Sequence, residues 1–167
     1  LNDVTASMSI YTCMKGTPGN PGTSFLKLVS KTVGAMGVIP GIATSGTLDQ
    51  ASFQPLTGFA FSQRPASLTG KWQHMIYGSS QGYADVQLTR WDAVMQARVT
   101  VASAHQVLSG MAMSWAAFTI PLYYVDGNNP DSCMITFSSS GSTPAANDYL
   151  YIDNLAFTGN VTGIAEN

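Results

Sequence analysis

Residues 84–94 read ADVQLTRWDAV, and their alternation decides the fold class. Val86 and Leu88 fall on one side of an extended chain, while Asp85, Gln87, Thr89 and Trp91 fall on the other. Successive side chains of a strand point to opposite faces, so this segment predicts a strand buried on one face and displayed on the other. KWQHMIYG precedes it through the turn-rich GSSQGY, and RVTVASAHQVL follows it. Further strands are predicted at TASMSIYTCMK, SFLKLVSKTV, WAAFTIPLYYV, SCMITFSSS and DYLYIDNLAF, between loops such as GTPGNPG and DGNNPD. Many short strands with such punctuation predict an all-β protein, a two-sheet antiparallel jelly-roll sandwich. Only VASAHQVLSGMAMSW offers helical spacing, at Val107, Met111 and Trp115. Gly110 interrupts it, so a loop or one short helical turn is expected there.

Composition agrees with that class. The chain has 167 residues, 45% of them hydrophobic, which suits one domain with its own core. Only 10% are charged, against about 25% in an average soluble domain. Ser, Thr, Asn and Gln must therefore cover the surface, as they do on exposed sheet faces. The only Glu is Glu166, whereas exposed helices are built largely from Glu and Lys. A net charge of −2, with its seven Lys and Arg scattered, excludes the clustered basic face that nucleic acid requires. No apolar run approaches the ~20 residues of a membrane helix. One domain is expected over residues 1–158, monomeric in isolation, followed by a linker over 159–167.

The display positions carry the candidate chemistry. A sugar offers apolar C–H faces to an aromatic ring and a rim of hydroxyls to planar polar groups. Trp72, Tyr77, Tyr83, Trp91, Trp115 and Tyr123 are the aromatic candidates; Arg64, Gln73, His74, Asp85 and Gln87 are the polar ones. The bland reading is that such rings pack the core or the strand edges. Strand parity leaves KWQHMIY open, since Trp72, His74 and Ile76 oppose Gln73, Met75 and Tyr77. In WAAFTIPLYYV, Phe118, Ile120, Leu122 and Tyr124 share one face, and Trp115, Thr119 and Tyr123 the other.

Catalysis finds less support. Glycoside hydrolysis needs two carboxylates about 5 to 9.5 Å apart, and no pair of acids stands out at strand spacing. GSSQG puts Ser80 in the nucleophile's place of an elbow motif, but that motif works as a strand-to-helix turn and here joins two predicted strands. DGNNPD is rich in oxygen ligands, yet Phe137 stands where the bidentate twelfth ligand of a Ca²⁺ loop belongs. Asp153 is a carboxylate in an apolar strand, so it is expected to be capped by backbone N–H groups, paired with a base, or bound to a cation. Cys13 and Cys133 are two thiols in one chain. Parity sets Cys133 with Ile135 and Phe137 and argues for two buried free thiols over a bridge.

GFAFSQRPASLTGKW, YADVQLTRWD, WAAFTIPLYY, NPDSCMITFSSS and DYLYIDNLAF, in that order, resemble the "putative carbohydrate metabolism domain" of secreted Bacteroidetes proteins. The likeness runs over residues 58–157 and more loosely back to Phe25. It implies a jelly roll similar to carbohydrate-binding modules, on proteins exported for glycan capture. It also implies that the late-strand acid, Asp153, helps to hold a structural Ca²⁺, although Asn154 stands where the family has a second acid. The tail NVTGIAEN resembles the linker before the C-terminal sorting domain of type IX secretion substrates, which implies an extracellular or outer-cell-surface location.

These readings predict a non-catalytic glycan- or polysaccharide-binding domain whose ligand residues are Arg64, Trp72, His74, Tyr77, Asp85, Trp91, Trp115 and Tyr123. A structural or adhesive surface module, with flat polar faces and no pocket, is the alternative. A glycosidase or polysaccharide lyase would need opposed carboxylates.

Overall fold

The computed structural model describes residues 5–48 and 55–162. The chain opens with β1 (Cys13–Gly16), β2 (Phe25–Val29), β3 (Lys31–Thr32), β4 (Val38–Ile39) and β5 (Ile42–Thr44). Short pieces follow as β6 (Thr47–Leu48), β7 (Pro55–Thr57) and β8 (Phe59–Ala60). The long strands are β9 (Ser67–Met75), β10 (Tyr83–Asp92), β11 (Ala97–Val107) and β12 (Ala112–Pro121). β13 (Tyr123–Tyr124), β14 (Ser132–Ser138) and β15 (Tyr149–Thr158) complete the order. Among the described residues, helix is confined to two single 3₁₀ turns, at Ala6–Met8 and Gly34–Met36.

One sheet has the order β1-β2-β15-β9-β12, and the other β13-β11-β10-β14-β5, with β8 also on β14. Every ladder in both is antiparallel. The expected all-β sandwich is therefore what forms. Its core is the alternate set of residues from both sheets. Leu68, Phe118, Leu150 and Ile152 from one meet Val86, Leu88, Val101 and Phe137 from the other. Removing such side chains from water stabilises the fold by about 1.5–3 kcal/mol each.

Three segments depart from expectation. Residues 97–107 and 112–121 are strands with a short loop between them, so VASAHQVLSGMAMSW contains no helical turn. The β-branched Val and Thr of RVTV begin a ladder that runs on through His105, and the pairing with β10 overrides the local helical spacing. WAAFTIPLYYV is not one strand: β12 ends at Pro121, whose missing N–H suits the end of a ladder, and Tyr123–Tyr124 join the other sheet beside β11. Trp115 and Tyr123, grouped on one face by parity, thus belong to different sheets. Finally, Val161 donates its N–H to the Arg64 carbonyl and accepts Arg64 Nε, so the chain stays docked beyond residue 158. Residues 163–167, including Glu166, lie outside the described residues, as do Asp3 and Asp49.

Candidate functional site

In β9, Leu68, Gly70, Trp72 and His74 face the core, and Lys71, Gln73 and Met75 face outward. The neighbouring β15 places Leu150 and Ile152 inward and Tyr149, Tyr151 and Asp153 outward. The register sets Tyr151 between Lys27 on β2 and Gln73 on β9, and Tyr149 between Val29 and Met75. The outer face of the five-stranded sheet therefore gathers aromatic side chains on its central strands.

These rings form one contiguous group. Tyr149 and Tyr151 stack with centroids 4.6 Å apart. Phe25 lies 5.0 Å from Tyr151 and meets Trp115 edge-on at 5.3 Å. Trp115 reaches the group from an irregularity in β12, between Ala112 and Ala116, where three residues oppose Gln73 alone. Gly16 makes room on the other side. A Cβ there would fall 2.2 Å from the Phe25 ring, so only glycine lets that ring lie over β1. Lys27 sets its ammonium 5.5 Å from the centre of the Tyr151 ring, an attraction between cation and ring quadrupole. Tyr77, well exposed, stands beside the group, and its N–H is held by the buried Asp148 carboxylate. Burial first, then the nearby Tyr151 and Tyr77, raise Tyr149 above the usual phenol range.

At the other end of this row the β1–β2 loop folds over the sheet. Asn20 donates its N–H to Asp153 Oδ2 at 2.5 Å, and Lys71 Nζ donates to Asn20 Oδ1 at 2.7 Å. Asp153 Oδ1 accepts the N–H of Asn154. Of the three outcomes expected for this carboxylate, capping by backbone N–H groups is the one observed. Its surroundings do not fit a Ca²⁺ site: both oxygens face donors, and its partner across the ladder is Lys71. Asp126 in the DGNNPD loop is likewise committed, to Asn128 and Arg90. Among the described residues, no three His, Cys, Asp or Glu side chains converge.

The predicted ligand residues divide. Tyr77 and Trp115 belong to the aromatic face. Asp85, Trp91 and Tyr123 face outward on the six-stranded sheet; Asp85 is bonded to His105 Nδ1 at 2.6 Å, and Trp91 and Tyr123 are exposed. His74 and Arg64 require correction, because both are buried, and Trp72 is half-buried with its ring turned against the core. Trp72 stacks on Phe118 at 4.2 Å inside the sandwich. His74 is buried next to it, and that burial lowers its pKa. Arg64 is buried beneath the 126–130 loop, donating to the carbonyls of Asp126 and Asn128 and covering the Tyr124 ring. A guanidinium so engaged anchors the loop and the 160–162 segment. Ser80 sits in the loop between β9 and β10, its hydroxyl accepting from Thr143 N–H, as a turn residue would. No disulfide joins Cys13 to Cys133, and burial pushes the Cys133 thiol up to about 12.

No family model and no curated protein matches the chain. Solved structures do. One from Bacteroides thetaiotaomicron, described as a "putative glycoside hydrolase", superposes with a TM-score of 0.75 at 16% identity, over 93% of this chain and 61% of its own. A second so described, from Bacteroides vulgatus, gives 0.71 at 16% identity, over 88% and 77%. A non-crystalline cellulose specific carbohydrate-binding module gives 0.44 at 9% identity, over 88% and 80%. The likeness is one of fold. The chain spans about three fifths of the first of these structures.

Phe25, Tyr149 and Tyr151 were absent from the candidates read off the sequence. The two tyrosines had a signal: in DYLYID they alternate with Leu150 and Ile152, which places them together on the face opposite the core. Phe25 had none, because its place in the group depends on β2 pairing with β15 across more than a hundred residues of chain.

Proposed function

We propose that the chain is a non-catalytic glycan-binding domain that uses the outer face of its five-stranded sheet. The observation that carries this is the contiguous group Tyr149–Tyr151–Phe25–Trp115, flanked by Gln73 and Lys27. Aromatic rings offer surface to sugar C–H faces, and an amide and an ammonium beside them suit hydroxyls. The two Bacteroides structures of similar fold, each described as a "putative glycoside hydrolase", support carbohydrate as the ligand class. The lack of hydrolysis is supported by the carboxylates themselves. Each described Asp is already held: Asp85 by His105, Asp92 and Asp126 by Arg90, Asp131 by Arg98, and Asp148 and Asp153 by backbone N–H groups. Among the described residues, every carboxylate near the rings is already hydrogen-bonded. Export to the cell surface or medium belongs to the same proposal and rests on the tail and the motif order.

The test is calorimetric titration with a panel of β-glucan, xylan, mannan and pectic oligosaccharides, for the native chain and for Tyr151→Ala. Binding that falls at least tenfold in the variant, with no release of reducing ends, supports the proposal. Hydrolysis of any panel member, or binding indifferent to Tyr151→Ala, overturns it.

A further inference from the structure

We infer that the aromatic face binds the end of a glycan chain and not an interior stretch. This rests on the reading of that face as a glycan platform and adds a stop to it.

The row has a direction. Tyr151 and Tyr149 follow one another along the outward positions of β15, and Tyr77 comes two residues past Met75, the end of β9 and the ladder partner of Tyr149. A chain that stacks on successive rings must run along that axis. Two residues beyond Tyr151 and Gln73, on the same face, the ladder pairs Asp153 with Lys71. That position is covered. The 17–24 loop reaches over it from the β1–β2 edge, with Asn20 bonded to Asp153 through its N–H and to Lys71 through its side chain. Gly19 lies so close that a Cβ there would be 2.8 Å from Asp153 Oδ2.

The opposite end has no such seat. Beyond Tyr149 and Met75 the row ends at Tyr77, 61% exposed. The face is therefore open at Tyr77 and stopped at Asn20. A chain can enter from the open end until its terminal unit meets Gln73, Lys71 and Asn20, but it cannot pass through. The polar groups at the stop match the additional hydroxyl that a terminal unit presents and an interior unit lacks.

The experiment measures length dependence and capacity. Cello-, xylo-, manno- and laminari-oligosaccharides of two to six units are titrated, then the parent polymer of whichever series binds, with its number-average length known. The expected result is an affinity that levels off, within about twofold, after the first few units, and about one protein bound per polymer chain. Affinity that keeps rising to six units, with uptake proportional to polymer mass, overturns the stop and leaves the platform standing. If no series binds, the platform itself is overturned. A second variant replaces residues 17–24 by an Asn-Gly turn, checked for folding by its melting curve. It should take up several proteins per polymer chain. If it folds and stays at one per chain, the stop is not the loop and the inference fails.

Discussion

The two outer faces of this sandwich are built on the same backbone and do opposite things with their outward side chains. On the six-stranded sheet, polar side chains pair with one another or with the 126–131 loop: Asp85 with His105, Arg98 with Thr89 and with the loop's Asp131, and, at the end of β10, Arg90 with Asp92 and with the loop's Asp126. A small cavity of about 220 Å³ there is floored by Gln87, Thr89 and Thr100 and edged by Thr57 and Gly58. On the five-stranded sheet, the outward residues include a group of rings that touch one another at their edges and faces. The difference matters for binding. An ion pair that satisfies itself has little left for a ligand, and breaking it carries a desolvation cost. A ring in contact with another ring still keeps an uncovered π-face. Polar residues are thus a poorer guide to the binding side than aromatic ones.

The contrast can be broken most sharply at the tryptophans. Trp72→Ala should cost about 3 kcal/mol or more of stability, read by denaturant unfolding, because it empties the stack against Phe118. Trp115→Ala should leave stability nearly unchanged and weaken glycan binding. Equal stability losses would mean that both rings are core. Next in size, Tyr151→Ala should cost about 2 kcal/mol of binding, as a hot spot does. Asp85→Ala and Trp91→Ala, on the other face, should change affinity less than twofold in the same titrations. Gly16→Val comes third: its added side chain displaces the Phe25 ring and should weaken binding about tenfold while the melting temperature shifts little. Arg98→Ala is smaller still. Its pair with Asp131 is exposed, so the expected stability change is below about 1 kcal/mol, with binding untouched.

The smallest effect is one of pH, and it separates the faces by sign. Asp92 is held below the usual carboxylate range, first by the Met95 N–H and then by Arg90. Asp126 is lowered by the Asn128 N–H and then Arg90, and Asp131 by Arg98 and then the Trp91 N–H. A depressed folded pKa contributes stability that is present above the unfolded value and lost as pH falls through the folded one. Acid below about pH 4 should therefore loosen the six-stranded sheet, seen as a falling melting temperature. The aromatic face answers to alkali, with Tyr149 raised above about 10. Glycan affinity should stay level from pH 5 to 9; a drop across that range would place an ionising group in the site.

Much of the fold was legible in the sequence because burial and period two are local. Val86 and Leu88 point inward, and Asp85, Gln87 and Trp91 outward, as their alternation requires. Asp153 found N–H caps, as a carboxylate among apolar neighbours must find some partner. The aromatic face was less legible because it is assembled from β2, β9, β12 and β15, which meet only through ladders. KWQHMIY carries an aromatic on each side, and only its pairing with β15 and β12 decides that Trp72 turns inward. Arg64 looked like a sugar ligand because nothing local announces that the 126–130 loop will close over it.

The place of β15 has a consequence for the order of events during synthesis. It is the latest strand in the sequence, yet it lies third in its sheet, between β2 and β9, which do not touch without it. A growing chain can close the β10–β11 hairpin and pair β9 with β12 while the first hairpin still has no partner. Tyr149 and Tyr151 arrive on the strand that joins these halves, so the aromatic face is assembled in the same step that completes the sheet. Until residues 149–158 have emerged, the five-stranded sheet stays in two parts and its row of rings has no centre.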